Sequence, residues 1–216
     1  IEAYGFVSIA KTAVSYAQII TVALTTFIVR YITLNYHKNK MEEANSYYSS
    51  SILACFQLSG ALLIFALLCI FKLENLLRIP EKLIPSVKAL FIFVFINFVL
   101  TTIVTPLNAS CFIKNRLDLN GIVKIISYIA ESVVLVVVFR YCTADIWVVG
   151  FGSFIAAIVL VGGNYILKQK LTPELKFRKK LVSYKRVKEM MSNGVWQSVN
   201  SLGNTLNSGL DLLISN

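Results

Sequence analysis

Acidic side chains are scarce in this chain, and so is histidine. Over 216 residues there are 11 Asp and Glu against 21 Lys and Arg, and His37 stands alone in a polar segment. A zinc or iron centre built from histidines is excluded by that count, and no repeated acid lies near His37 to make a mixed site. The four cysteines, Cys55, Cys69, Cys111 and Cys142, form no C-x-x-C pair and mostly sit in apolar runs. They read as small buried apolar residues rather than as a disulfide or metal framework. Charge of either sign is thin, at 15% of residues, well below the roughly 25% of an ordinary soluble domain. No G-x-S-x-G or H-E-x-x-H occurs, and Gly150-Phe151-Gly152 lacks the strand–turn–helix setting of a phosphate loop. No catalytic constellation and no cofactor is implied.

What the chain has instead is long apolar sequence. Hydrophobic residues make up 56% and the mean hydropathy is +0.70. Stretches of about 20 apolar residues cross a bilayer core. Reading for them predicts an all-α, polytopic transmembrane bundle of about six spans, near 5–34, 50–71, 88–112, 121–140, 146–167 and 191–215. The last is the least apolar. The net charge of +10 lies in the segments between spans rather than on a basic face of a soluble fold, so nucleic acid is not an expected partner.

Lys and Arg also order the topology. The connections after the first, third and fifth spans carry fourteen of them, nine between Lys168 and Lys188, whereas those after the second and fourth carry five. By the positive-inside rule the basic connections face the cytoplasm. In the fifth connection Thr172-Pro173-Glu174 has an N-cap, a proline at the first helical position and an acid in the first turn. It predicts a basic amphipathic helix lying on an anionic leaflet, with a solvated basic linker as the alternative. The chain divides accordingly into a bundle at 1–167, a basic linker at 168–189 and a further helix at 190–216.

Polar residues inside the spans form two stripes. Asn193, Gln197, Asn200, Asn204, Asn207 and Asp211 follow steps of three and four residues and so share one helical face. Lys11, Ser15 and Gln18 do the same in the first span, continuing toward Arg30. Lipid offers such groups no hydrogen bonds, so they are expected to face a shared cavity, although Lys11 and Arg30 can also snorkel to the head groups. Glu131 lies in an apolar run, too deep to reach an interface easily, and is expected to be paired, protonated or part of an ion pathway. Asn97 and Pro106 read as local helix adjustment, and Gly152, Ser153, Ala156 and Ala157 as close helix packing.

Glu2-Ala3-Tyr4-Gly5-Phe6-Val7, with Arg30-Tyr31-Ile32 further on, resembles the start of the second helix of bacterial polysaccharide flippases. These are the O-antigen and capsule repeat-unit translocases of the multidrug/oligosaccharidyl-lipid/polysaccharide exporter superfamily. Ala44 to Ser50 looks like the family's entry to its third helix; Gly194-Val195-Trp196, Leu202-Gly203 and Asp211 to Ile214 are similar to its seventh, which opens the second lobe. The resemblance implies one lobe lacking its first helix, plus the first helix of the next, in a multi-pass protein of the cytoplasmic membrane. It implies flipping of an undecaprenyl-pyrophosphate-linked oligosaccharide by alternating access, without enzymatic chemistry. Lys11 and Arg30 would meet the head group; Gln18, Gln197, Asn200, Asn204 and Asn207 would bind sugar hydroxyls; Glu131 and Asp211 would carry a coupling proton or Na⁺. Membrane lipids are the remaining partners. A cation antiporter of the same superfamily and a polytopic polysaccharide polymerase or ligase are the alternatives; the cations of the first stripe and the short, plain connections on the opposite side weigh against them.

Overall fold

The computed structural model describes residues 2–76, 79–141 and 145–214, with side chains over 5–74, 79–141 and 145–204. All regular structure among them is helical: α1 (Glu2–His37), α2 (Met41–Phe71), the single turn α3 (Leu73–Leu76), α4 (Ile84–Ile113), α5 (Leu117–Tyr141), α6 (Trp147–Leu171) and α7 (Tyr184–Ile214), with 3-10 turns at Glu81–Leu83 and Lys179–Leu181. Among the described residues, five helical stretches are long and apolar enough to span a membrane: Gly5–His37, Met41–Phe71, Glu81–Ile113, Leu117–Tyr141 and Trp147–Leu171. The chain is an all-α polytopic bundle. α7, expected as a sixth span, falls outside that set, because its polar stripe lowers its hydropathy.

Two connections are far shorter than their polar sequence suggests. α1 passes to α2 through Asn39, at φ 58°, and α4 to α5 through Asn115, at φ 51°. In each, the amide after the asparagine closes back on the helix end, Lys40 N to Asn35 O at 3.0 Å and Arg116 N to Cys111 O at 2.8 Å. This is a left-handed helix stop in which asparagine tolerates the positive φ that glycine more often supplies. α2 therefore starts nine residues before the span expected from 50, and its first turns, from Ala44 to Ser51, are helical and buried.

What buries them is the connection between α6 and α7. The helix expected from Thr172 does not form. Thr172 instead ends α6, its hydroxyl 2.7 Å from that of Ser110, and the chain runs on as a strap across the start of α2. Lys176 N donates to Asn45 Oδ1 at 2.7 Å, Arg178 N to Ser49 Oγ at 2.9 Å and Ser183 N to Ser50 Oγ at 2.9 Å, while Ser46 Oγ donates to the Leu181 carbonyl at 2.6 Å. Leu175 is fully buried in the core that joins Ile28, Ile32, Tyr47, Ile113 and Met190. Four side chains thus satisfy backbone groups that a helical strap would have satisfied internally, and the anchoring leucine adds roughly 1.5–3 kcal/mol. A local N-cap signal lost to tertiary bonding.

A second core fills the opposite end, with Phe6, Ala10, Ile70, Phe91, Phe95 and Phe98. α4 and α6 lie close because Gly150 presents no side chain to Leu90 and Phe93; α5 packs on α6 where Gly152 meets Leu135. The opposite face of α5, including Ile125, Val133 and Val136, is exposed, as a lipid-facing helix requires.

Candidate functional site

The site grows from the face of α1 that the cores leave open. Phe6, Ala10, Ala17, Leu24, Ile28 and Ile32 are buried on one side of that helix. Their spacing turns Lys11, Ser15 and Gln18 away from the cores. These three, with Val14, Val94, Asn97 and Ser153, line a recess of about 260 Å³ between α1, α4 and α6. Its far wall is a hydrogen-bonded relay: Asn97 Nδ2 donates to the Ser153 carbonyl at 2.6 Å, and Ser153 Oγ donates to Glu131 Oε1 at 2.7 Å. Glu131 is therefore paired, and through Ser153 its carboxylate is joined to the recess wall. Asn97, which read as local helix adjustment in the sequence, and Ser153, which read as close packing, are the links that bring α5 to the site.

Ser15 and Gln18 also line a second recess of about 290 Å³, shared with Ile19, Val22, and Ser201 and Asn204 of α7. The two hollows share Ser15 and Gln18, so a row of polar side chains, the polar groove, runs from Lys11 past Gln18 to Asn204. α7 lies against α1 through Gly194, whose Cα faces the Ala23 carbonyl, and through Ser198, whose Oγ donates to the Ile19 carbonyl at 2.8 Å. Gly194, Ser198 and Ser201 follow four- and three-residue steps, a small-residue seam that was legible in the sequence but hidden behind the amide stripe beside it.

The stripe itself is divided. Asn204 reaches the groove; Gln197 and Asn200 are exposed on α7 and line neither hollow. Asn193 belongs to a third recess of about 190 Å³ with Arg30, Phe27, Tyr31 and Leu34. The side chains of Asn207 and Asp211 lie outside the described residues. Lys11 and Arg30 are nineteen positions apart on α1, roughly 28 Å along the axis at 1.5 Å per residue. One head group cannot touch both at once.

Around the Arg30 recess is a cluster that the sequence did not disclose. Tyr31 and Tyr47 stack at 5.0 Å between ring centroids. Asn193 Nδ2 donates to Tyr31 Oη at 2.7 Å, Tyr47 Oη donates to Glu189 Oε2 at 2.8 Å, and Arg186 lies 4.5 Å above the Tyr47 ring. At the strap, the Tyr36 hydroxyl donates to Glu174 and holds its carboxyl below the usual carboxylate range, against burial, which pushes it up. Lys114 bonds the same hydroxyl at 3.2 Å, and this raises the lysine's pKa.

Comparison with known proteins agrees with this membrane architecture. Residues 1–215 match a family described as polysaccharide biosynthesis protein. The chain belongs to that family. Among curated proteins it is similar to the uncharacterized membrane protein EpsK of Bacillus subtilis (strain 168), at 27% identity over 216 residues, covering 100% of this chain and 43% of the relative. The chain thus spans less than half the length of that relative. No solved structure matches it. Within the polysaccharide biosynthesis family, this chain is a multi-pass membrane protein.

Proposed function

We propose that the chain forms part of a transporter of the cytoplasmic membrane that flips a lipid-linked oligosaccharide, an undecaprenyl-pyrophosphate repeat unit, by alternating access. The observation that carries this reading is the polar groove shared by Lys11, Gln18 and Asn204 beside an otherwise apolar bundle. Sugar hydroxyls need hydrogen-bonding walls, a pyrophosphate needs cations, and the polyprenyl tail remains in the bilayer. Lys11 and Arg30, near the two ends of one helix, suit a head group that is handed from one to the other as the bundle opens to each side. The Glu131–Ser153–Asn97 relay gives a coupling proton or Na⁺ a carboxylate next to the groove. The reading assigns binding and movement, with no bond broken, so the protein acts without being an enzyme. A cation antiporter would want acids where Lys11 stands.

The test uses the full-length protein in proteoliposomes loaded with polyprenyl-pyrophosphate oligosaccharide, scored by lectin access to the outer leaflet. Lys11→Ala and Gln18→Ala are expected to slow flipping at least about tenfold, a loss of about 1.4 kcal/mol in transition-state binding. Flipping at the parent rate in both variants overturns the assignment of the groove.

A further inference from the structure

The Arg30 recess and the seat of α7 share their side chains. Tyr31 and Asn193 line the recess with Arg30, and the same two residues hold α7. Asn193, on α7, donates to the Tyr31 hydroxyl on α1 and to its own helix at the Glu189 carbonyl, 3.0 Å away. The Glu189 carboxylate accepts from Tyr47 on α2 and interacts electrostatically with Tyr31. Tyr47 in turn is stacked on Tyr31 and covered by Arg186, whose Nη1 donates to the Glu43 carbonyl at 3.3 Å. Three helices therefore meet at one carboxylate, and Tyr31, one of its partners, lines the recess beside the exposed Arg30. Arg30 forms no ion pair among the described residues, and its described contact is the Phe27 ring at 5.8 Å.

We infer that Glu189, with Tyr31 and Tyr47, is a clasp that couples occupancy of the Arg30 recess by a phosphoryl anion to the seating of α7 on α1 and α2. The inference rests on the head-group reading above and adds the residue that transmits it. Arg30 offers a forked, permanently charged donor, and the Asn193 amide stands beside it, the donor set that phosphoryl oxygens take. An anion that draws the Asn193 amide to itself removes the hydrogen bond that amide gives Tyr31. It also brings negative charge toward the exposed Glu189 carboxylate, which like charge repels. Both effects weaken the hold of α1 and α2 on α7. Linkage is reciprocal, so weakening the clasp must strengthen anion binding by the same factor, and couplings of this kind usually amount to about 5–150-fold.

The experiment uses the full-length protein in nanodiscs, with its native cysteines replaced and spin labels at Phe56→Cys on α2 and Val199→Cys on α7, two exposed positions. Inorganic pyrophosphate is expected to lengthen the α2–α7 distance in the parent. Glu189→Gln is expected to show the longer distance without anion and to bind pyrophosphate at least about fivefold more tightly. Merely structural damage would not raise affinity. Tyr47→Phe should fall between the two, and Arg30→Ala should neither bind nor respond. Arg30-dependent binding with an unchanged distance, or a Glu189→Gln protein indistinguishable from the parent, overturns the clasp and leaves the head-group reading standing. Equal binding by Arg30→Ala and the parent overturns both. A polyprenyl pyrophosphate placed in the nanodisc separates the sources: a response to it supports a lipid head group, whereas a response to the soluble anion alone keeps the clasp and removes the lipid-linked reading.

Discussion

Replacing Gly194 with alanine is expected to lift α7 from α1. A Cβ at this position would lie 1.7 Å from the Ala23 carbonyl oxygen, 2.5 Å from its carbon and 2.8 Å from its Cα. All three are backbone atoms of a buried helix face, so no rotamer change relieves the contact. Restoring even 3.0 Å to the oxygen, the lower limit of real Cβ contacts, requires the helices to separate by about 1.3 Å. At that separation the Ser198 hydroxyl, now 2.8 Å from the Ile19 carbonyl, moves to roughly 4 Å and its hydrogen bond is lost. Overpacking costs about 1–3 kcal/mol and the hydrogen bond about 1 kcal/mol more. The unfolding midpoint of the purified protein should fall by about 2–4 °C for each kcal/mol. Gly203→Ala on the same helix is the control, because a Cβ there meets nothing within 4 Å. Light-scattering melts of the two variants in detergent, with flipping assays alongside, make the comparison. Equal midpoints for the two would refute the claim that α1 and α7 touch backbone to backbone.

Leu175→Ala removes the buried anchor of the strap and should cost about 2–5 kcal/mol; limited proteolysis between Lys176 and Lys180 should become faster, and an unchanged rate would show that the strap is held some other way. Glu131→Gln keeps the shape of the relay but removes its charge, so it is expected to abolish any dependence of flipping on a proton or Na⁺ gradient while sparing membrane insertion; gradient-driven flipping at the parent rate removes Glu131 from coupling. The strap should also loosen in acid. Because Tyr36 lowers the pKa of Glu174 in the folded protein, that bond's stabilisation is fully present above the unfolded value of about 4.3 and is lost as pH falls through the lower folded value. Hydrogen exchange at the amides of Lys176 and Arg178 reports it, with Tyr36→Phe expected to remove the acid-dependent step; an identical step in that variant argues against the bond as its cause.

Periodicity made the polar face of α1 legible. Three- and four-residue steps place Lys11, Ser15 and Gln18 on one stripe whatever the helix packs against, and the same rule picked out Asn204. Glu131 was conspicuous for the same kind of reason, a short acid in a long apolar run. The partners were not legible. Nothing in the neighbourhood of Ser153 indicates that its hydroxyl meets a carboxylate 22 residues earlier while its carbonyl meets an amide 56 residues earlier. The serines of the first turns of α2 lie at the edge of the span expected from 50, and nothing local indicates that their hydroxyls serve the backbone of a strap about 130 residues away in sequence.

Hydropathy alone determined that this chain is a bundle of membrane-spanning helices, because in hydrocarbon the backbone must satisfy its own hydrogen bonds and a long apolar run has little choice but to be helical. Each helix's polar angle was likewise set residue by residue. Which angles face each other, and whether a capping motif starts a helix or yields to a neighbour's side chains, depended on contacts between distant segments. Those contacts are worth about 1 kcal/mol each, so several acting together override a local preference of about 1 kcal/mol, and they exist only once the chain has folded.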